Sequence, residues 1–317
     1  MDSNTAEAGI PDEADIADEP GITDEPGITE AQAFQRRASL IKLFSRIGQL
    51  SSLPQVALRI IQVADDDTAD IDDLLSAIEG DPAMVVRILR LVNSGYYGLR
   101  NRVGDLKHAV TLMGFQQVRS LALTLYVSRI FRASGDYRGY SRAGLWNHQV
   151  AVASAARLIA EVCSDVSADE AYVAGLLHDI GYVLVDEHLR PRFKQVLDGI
   201  GPDKDTLSVE RHVLGFDHCL LGAFVMHEWN LPEPVYRAAA YHHAPLDYDG
   251  PHSRMVCLVT MANYFCTYRG LTSLGLQNVP PLDEQVYARL GITESRAARI
   301  VDRLDDALSF AASAASA

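Results

Sequence analysis

Apolar residues recur at three- and four-residue spacing over most of this chain, the mark of helices with one buried face. Leu40, Ile41, Phe44 and Ile47 form one such stripe, which Gly48 should stop. Ser51-Ser-Leu-Pro54 opens a second, with Val56, Ile60 and Val63 on one face, and Asp70 precedes a third (Ile71, Leu74, Leu75, Ile78) closed by Gly80. Asp81-Pro82 is a clear start signal, because Asp at the N-cap accepts orphan amides and Pro at the first helical position has no amide to lose. That helix carries Val85, Ile88, Leu89 and Val92 and should break at Asn93-Ser-Gly95. Two linked runs, 106–113 and 115–131, meet at Gly114. Helical spacing resumes over 146–162, 168–179, 189–197, 218–229, 233–242, 255–268 and 294–308. No segment alternates with a two-residue period between hairpin turns. The pattern predicts an all-α protein of two helical lobes, 34–135 and 136–270, divided near the polar stretch 134–139, with a C-terminal helical extension over 271–317.

Residues 1–33 stand outside the pattern. The first thirty residues hold ten of the 42 acids and no Lys or Arg. The net charge of −14 is therefore concentrated in the tail, and the remainder carries only about four net negative charges. The hexapeptide Asp-Glu-Pro-Gly-Ile-Thr occurs twice in succession, at 18–23 and 24–29. Acidic, Pro/Gly-punctuated sequence with few large apolar side chains buries too little surface to fold, so a disordered, solubilising tail is expected. The rest of the chain has no basic stripe, which argues against direct nucleic-acid binding. It also lacks an apolar run of membrane-spanning length and a secretory signal, so a cytoplasmic protein with no membrane contact is expected. Cys163, Cys219, Cys257 and Cys266 lie in apolar segments without Cys-x-x-Cys spacing and read as buried free thiols.

Chemistry concentrates in half of the ten histidines. His148, His178-Asp179, His218 and His242-His243 follow one another, with both pairs at the ends of apolar runs. Neutral imidazoles and a carboxylate suit one divalent ion of Fe, Mn, Zn or Ni. Gly181 suits the position just past a helix end, which would put His178 and Asp179 in a last, relaxed turn. Ala244-Pro245 should likewise end the helix that delivers His242 and His243. The expected metal ligands are His148, His178, Asp179, His218, His242 and His243. His108, His188, His227 and His252 read as structural, and His212 could approach the cluster from one loop away.

The order His, His-Asp, His, His-His resembles the HD superfamily of metal-dependent phosphohydrolases, and its HD-GYP branch in particular. Leu53-Pro54, Ile78-x-x-Asp81-Pro82, Leu89-x-x-x-Asn93-Ser94, Leu112-x-Gly114, Leu214-Gly-Phe-Asp-His218-x-x-x-Gly222 and Trp229-x-Leu-Pro232 are similar to the HDOD family, over roughly residues 50–265. HDOD modules are degenerate HD domains of bacterial signalling proteins. The resemblance implies a regulatory, non-catalytic module with a metal or ligand pocket, a signalling protein as partner and a nucleotide as a possible ligand. The alternative it leaves open is an active phosphohydrolase on a nucleotide or cyclic dinucleotide.

Four departures from the phosphohydrolase pattern favour the first reading. Asn263 stands where a closing Asp is expected, Tyr182 where a Lys follows His-Asp-Ile-Gly, and Gly144 where a Glu precedes the first His. Ala-Pro-Leu-Asp-Tyr replaces the Gly-Tyr-Pro loop. With Asp179 as the one carboxylate of the set, a binuclear centre would be poorly neutralised, so at most one well-bound ion and no appreciable turnover are expected.

Overall fold

The computed structural model describes residues 30–315, apart from 52, 66–70, 94–101, 132–135, 164, 202–203 and 277–280. The acidic repeat lies outside the described residues. Helix α1, Glu30–Leu50, begins inside the segment expected to be disordered and runs two residues past Gly48. Asp81 behaves as its sequence predicts, accepting from Met84 N at 3.1 Å with Pro82 in the first turn. Asp105, Ser167, Asp205 and Asp217 cap later helices in the same way.

The first lobe comprises α2 (Gln55–Asp65), α3 (Ile71–Glu79), α4 (Pro82–Val92), α5 (Leu106–Met113) and α6 (Phe115–Val127), with a 3-10 turn over Ser128–Phe131. α6 is buried along almost its whole length and serves as the axis on which α2, α4 and α5 pack. The second lobe gathers α7 (Arg142–Cys163), α8 (Ala168–Leu177), α9 (Ile180–His188), α10 (Arg190–Gly199), α11 (Thr206–Leu214), α12 (His218–Glu228), α13 (Glu233–Tyr241) and α14 (Ser253–Tyr268). Its axis is α7, flanked by α8 and α14. α15 (Glu284–Leu290) leans on α14, and α16 (Glu294–Ala315) lies along α7 and reaches α6. Among the described residues the sole extended pairing is an isolated bridge between Tyr137 and Tyr140.

The lobes meet where α8 packs against α2 and α6. Thr124 and Tyr172 share a buried hydroxyl–hydroxyl bond of 2.5 Å, and Asp169 pairs with Arg157 at 2.9 Å and Arg119 at 3.3 Å. Although α1 precedes the first lobe in sequence, it packs on α12 of the second, where Phe44 meets Phe216 and Phe224 edge-on at 4.8 and 5.5 Å. All four cysteines are buried and free. No helix among the described residues is long and apolar enough to cross a membrane.

Candidate metal centre

The ligand candidates arrive from one helix middle and three helix ends. His148 projects from α7. α8 stops at Leu177, and the two-residue break His178-Asp179 leads directly into α9. Neighbours on a regular helix point about 100° apart. Here His178 keeps helical angles (φ −54, ψ −36) while Asp179 leaves them (φ −103, ψ 19), and the two side chains converge. Gly181 is not the helix stop its position suggested; it lies within the first turn of α9. A Cβ there would sit 2.0 Å from the carbonyl oxygen of His218, so only glycine lets α9 approach the start of α12. α13 ends at Tyr241 before Ala244-Pro245, and Thr260 Oγ1 donates to the His242 carbonyl at 2.9 Å, fixing the turn that presents His242 and His243.

All six candidates are brought together around the Asp179 carboxylate. Its Oδ2 lies 3.3 Å from His178 Nε2 and 3.6 Å from His148 Nε2. Its Oδ1 lies 3.1 Å from His218 Nε2 and 3.2 Å from His242 Nε2. His243 closes the group from the solvent side, its ring 4.3 Å from that of His242 and 5.2 Å from that of His218.

The tautomers decide what these contacts are. His148 Nδ1 donates to the Leu271 carbonyl at 2.7 Å, His178 Nδ1 to Gly175 at 2.8 Å, and His242 Nδ1 to Ala239 at 2.9 Å. A carbonyl only accepts, so each Nδ1 donates there and each ring presents its Nε2 toward Asp179; burial favours the neutral form of His148 and His242. Accordingly Nε2 of His148, His178 and His242 and Oδ1 of Asp179 are buried without a hydrogen-bond partner among the described residues. Acceptors facing a carboxylate in a dry site are costly, and a cation between them removes the cost. The spacing agrees. Two ligands each about 2.0–2.1 Å from an ion at tetrahedral angles lie about 3.3–3.4 Å apart. The residues fit a divalent metal.

Glu210, which the sequence did not reveal, completes the surroundings. It is buried on α11 and accepts from His218 Nδ1 at 2.9 Å, from the His218 backbone N–H at 2.7 Å and from the Tyr182 hydroxyl at 2.8 Å. The Tyr182 ring stacks on His218 at 3.9 Å. His212, the residue of that helix considered from sequence, is exposed. The signal that could have found Glu210 is an acid on the inner face of the helix preceding Gly-Phe-Asp-His. His188 serves Ser51, at 2.6 Å, and His227 packs edge-on against Tyr236, in keeping with structural roles.

Burial, then His178, pushes the His148 ring down to about 4, and burial also lowers His242 despite the neighbouring carboxylate. Burial opposes the charge of Asp179, yet His178, His218 and His242 hold its carboxyl well below the usual range. His218 moves the other way: burial opposes its protonation, but Cys219 and Glu210 carry it well above the ordinary value.

Beside the cluster opens a cavity of about 700 Å³, lined by His242, His243, Asn263, Lys204, Leu282 and Val286 among others. Asn263 therefore borders the site as expected, its Oδ1 accepting from Thr267 Oγ1 at 3.2 Å.

The HDOD domain family pattern matches residues 50–245. The chain belongs to the HDOD family. A curated relative from Treponema pallidum (strain Nichols), an uncharacterized protein, is 27% identical over 213 residues, 64% of this chain. The HDOD chain spans only 40% of that relative's length. An HDOD domain protein of unknown function from Geobacter sulfurreducens is similar in structure (TM-score 0.74, 23% identity, 87% of this chain and 97% of that one). So is a Marinobacter aquaeolei VT8 protein provisionally named for signal transduction (TM-score 0.71, 28% identity, 83% of this chain and 59% of that one). A third, from Shewanella amazonensis SB2B and provisionally named a phosphohydrolase, has TM-score 0.67 at 19% identity, over 86% of this chain and 97% of that one. The HDOD match ends at Pro245, so Asn263, Leu271 and the cavity residues Leu282 and Val286 lie beyond it.

Proposed function

We propose that this chain is a bacterial signal-transduction module that binds a divalent metal through His148, His178, Asp179, His218, His242 and His243, and answers a ligand entering the adjoining cavity by engaging a protein partner. One observation carries the metal half: four imidazoles turn Nε2 toward one carboxylate, with every Nδ1 committed elsewhere. The Marinobacter protein named for signal transduction, at 28% identity, supports the regulatory half. The ligand class we propose is a nucleotide. Lys204 on the cavity wall gives a phosphate a cation to meet, and the apolar residues there give a base a surface.

The reading is regulatory because the groups that would drive turnover are spent. Asn263 offers an amide where a carboxylate would neutralise the metal, and its oxygen is engaged by Thr267. Tyr182 cannot contact a phosphate as a lysine would, since its hydroxyl is buried on Glu210. A metal in this site would supply a hydroxide near neutral pH. The chain's own residues orient the imidazoles and hold the carboxylate ionised.

The second reading, a phosphohydrolase, is favoured by the opening of the cluster onto the cavity at His242 and His243. Metal analysis of untagged, chelator-free protein tests the first part of the proposal, and nucleotide and cyclic-dinucleotide turnover beside Asp179→Ala tests the second. Retained metal without turnover is the expected result. Turnover that Asp179→Ala abolishes would make this an enzyme.

A further inference from the structure

Cys219 has no part in the ligand set considered so far, yet its thiol lies in the centre. Its Sγ is 3.4 Å from His218 Nε2 and within 4.8 Å of the ligand atoms of His218, His242 and His243. With typical metal–sulfur and metal–nitrogen distances of about 2.3 and 2.0–2.1 Å, a sulfur and a nitrogen on one tetrahedral ion lie about 3.5 Å apart. The observed separation matches that edge. His242 Nε2 and Asp179 Oδ1, both buried without hydrogen-bond partners among the described residues, border the same space.

We propose that Cys219 is a metal ligand, and that with His218, His242 and His243 it forms a thiolate-containing subsite selective for zinc. Asp179 divides between two groups. Oδ2 serves His148 and His178, while Oδ1 serves His218 and His242. The carboxylate thus bridges a nitrogen–oxygen subsite and a nitrogen–sulfur one. Counting Asp179 as the sole anion had argued against a second ion. A thiolate at Cys219 and the Glu210 carboxylate behind His218 bring two more negative charges to the side where Oδ1 points. On binding, the Cys219 proton leaves to solvent and the Sγ–metal bond replaces the S–H bond. Soft thiolate ligation favours zinc over manganese or magnesium, which prefer oxygen.

This inference rests on the metal-centre reading above, and its test separates the two. Full-length protein is stripped with chelator, reloaded with Zn²⁺ and examined by elemental analysis and zinc X-ray absorption, beside Cys219→Ser and Cys219→Ala. Circular dichroism in chelator verifies that both variants fold. The expected result is a sulfur shell at about 2.3 Å in the wild type. That shell should be absent from both variants, and zinc affinity should fall at least tenfold while Mn²⁺ binding changes little. Zinc bound through nitrogen and oxygen alone, with equal affinity in the variants, would overturn the role of Cys219 and leave the metal centre standing. Wild-type protein that retains no metal of any kind would overturn both.

Discussion

Glu210 accepts the Nδ1 proton of His218 at 2.9 Å, and the same carboxylate takes the His218 backbone N–H at 2.7 Å. One buried acid therefore fixes both the place and the tautomer of a ring whose other nitrogen faces Asp179. Carboxylate–histidine pairs of this kind raise the basicity of the ligating nitrogen and hold its orientation.

Glu210→Gln should consequently weaken metal binding by about 10–100-fold, the range found when such outer partners are lost. Gln keeps the size but loses the charge and can present an N–H to His218 instead. Competitive titration against a chromophoric chelator measures the change. Unaltered affinity would mean that Glu210 only holds α11 to α12.

Gly181→Ala would place a methyl carbon 2.0 Å from the His218 carbonyl oxygen and 2.9 Å from its Cα. These are backbone atoms and cannot rotate away, so α9 must retreat from α12. Overpacking of this kind costs about 1–3 kcal/mol, and here the upper end or beyond is expected. Urea unfolding should show the loss in the metal-free protein, and metal affinity should fall with it. A midpoint within error of wild type would contradict the close approach.

The His148 ring, held down near 4, sets a pH dependence whose sign is fixed. Between that value and the unfolded value of about 6.5, the unfolded chain takes up a proton that the folded ring refuses. The contribution is complete above about pH 6.5 and is lost as pH falls toward 4, a difference of about 3 kcal/mol. His218, raised in the fold, works in the opposite direction. The measurement is therefore a comparison of His148→Gln with wild type in chelator, between pH 7 and 5. The wild type should lose more stability on acidification, and parallel slopes would show that the ring is not held neutral.

Asn263→Asp restores a carboxylate at the edge of the centre. The expected outcome is tighter binding of a hard ion such as Mn²⁺ by at least tenfold, because charge is added where oxygen ligands are few. Elemental analysis after equilibrium dialysis reads it directly. No gain would mean that position 263 does not reach the ion.

Helix periods and caps made most of this architecture legible in the sequence. The segments 106–113 and 233–242 were placed within a residue, since Asp105 and Gly114 bound the first and Ala244-Pro245 follows the second. α9, α11 and α15 were missed for different reasons. α9 is buried on nearly every side, so no polar face alternates with an apolar one. α11 and α15 each bury few apolar side chains, Leu214 in the first and Val286 and Leu290 in the second, so neither carries a full apolar stripe. In the centre, the six ligand candidates were visible because His is rare and its pairs mark helix ends. Glu210 was not, because acids are common and its role exists only where α11 touches α12. The apolar flanks of Cys219 suggest only a buried free thiol. Only the fold shows that its neighbours across space are imidazoles.

The seat of α1 bears on the order in which the chain can assemble itself. Phe44 rests on Phe216 and Phe224, and Ser51 offers its carbonyl to the Trp229 indole N–H at 3.0 Å. During synthesis from the N-terminus, α1 is finished long before residue 229 exists, and it must wait with its apolar stripe unsheltered. Closing a loop of more than 170 residues is slow compared with forming the helices themselves. Among the described helices, α1 is thus made early and fastened late, and its apolar stripe stays open until α12 has been built.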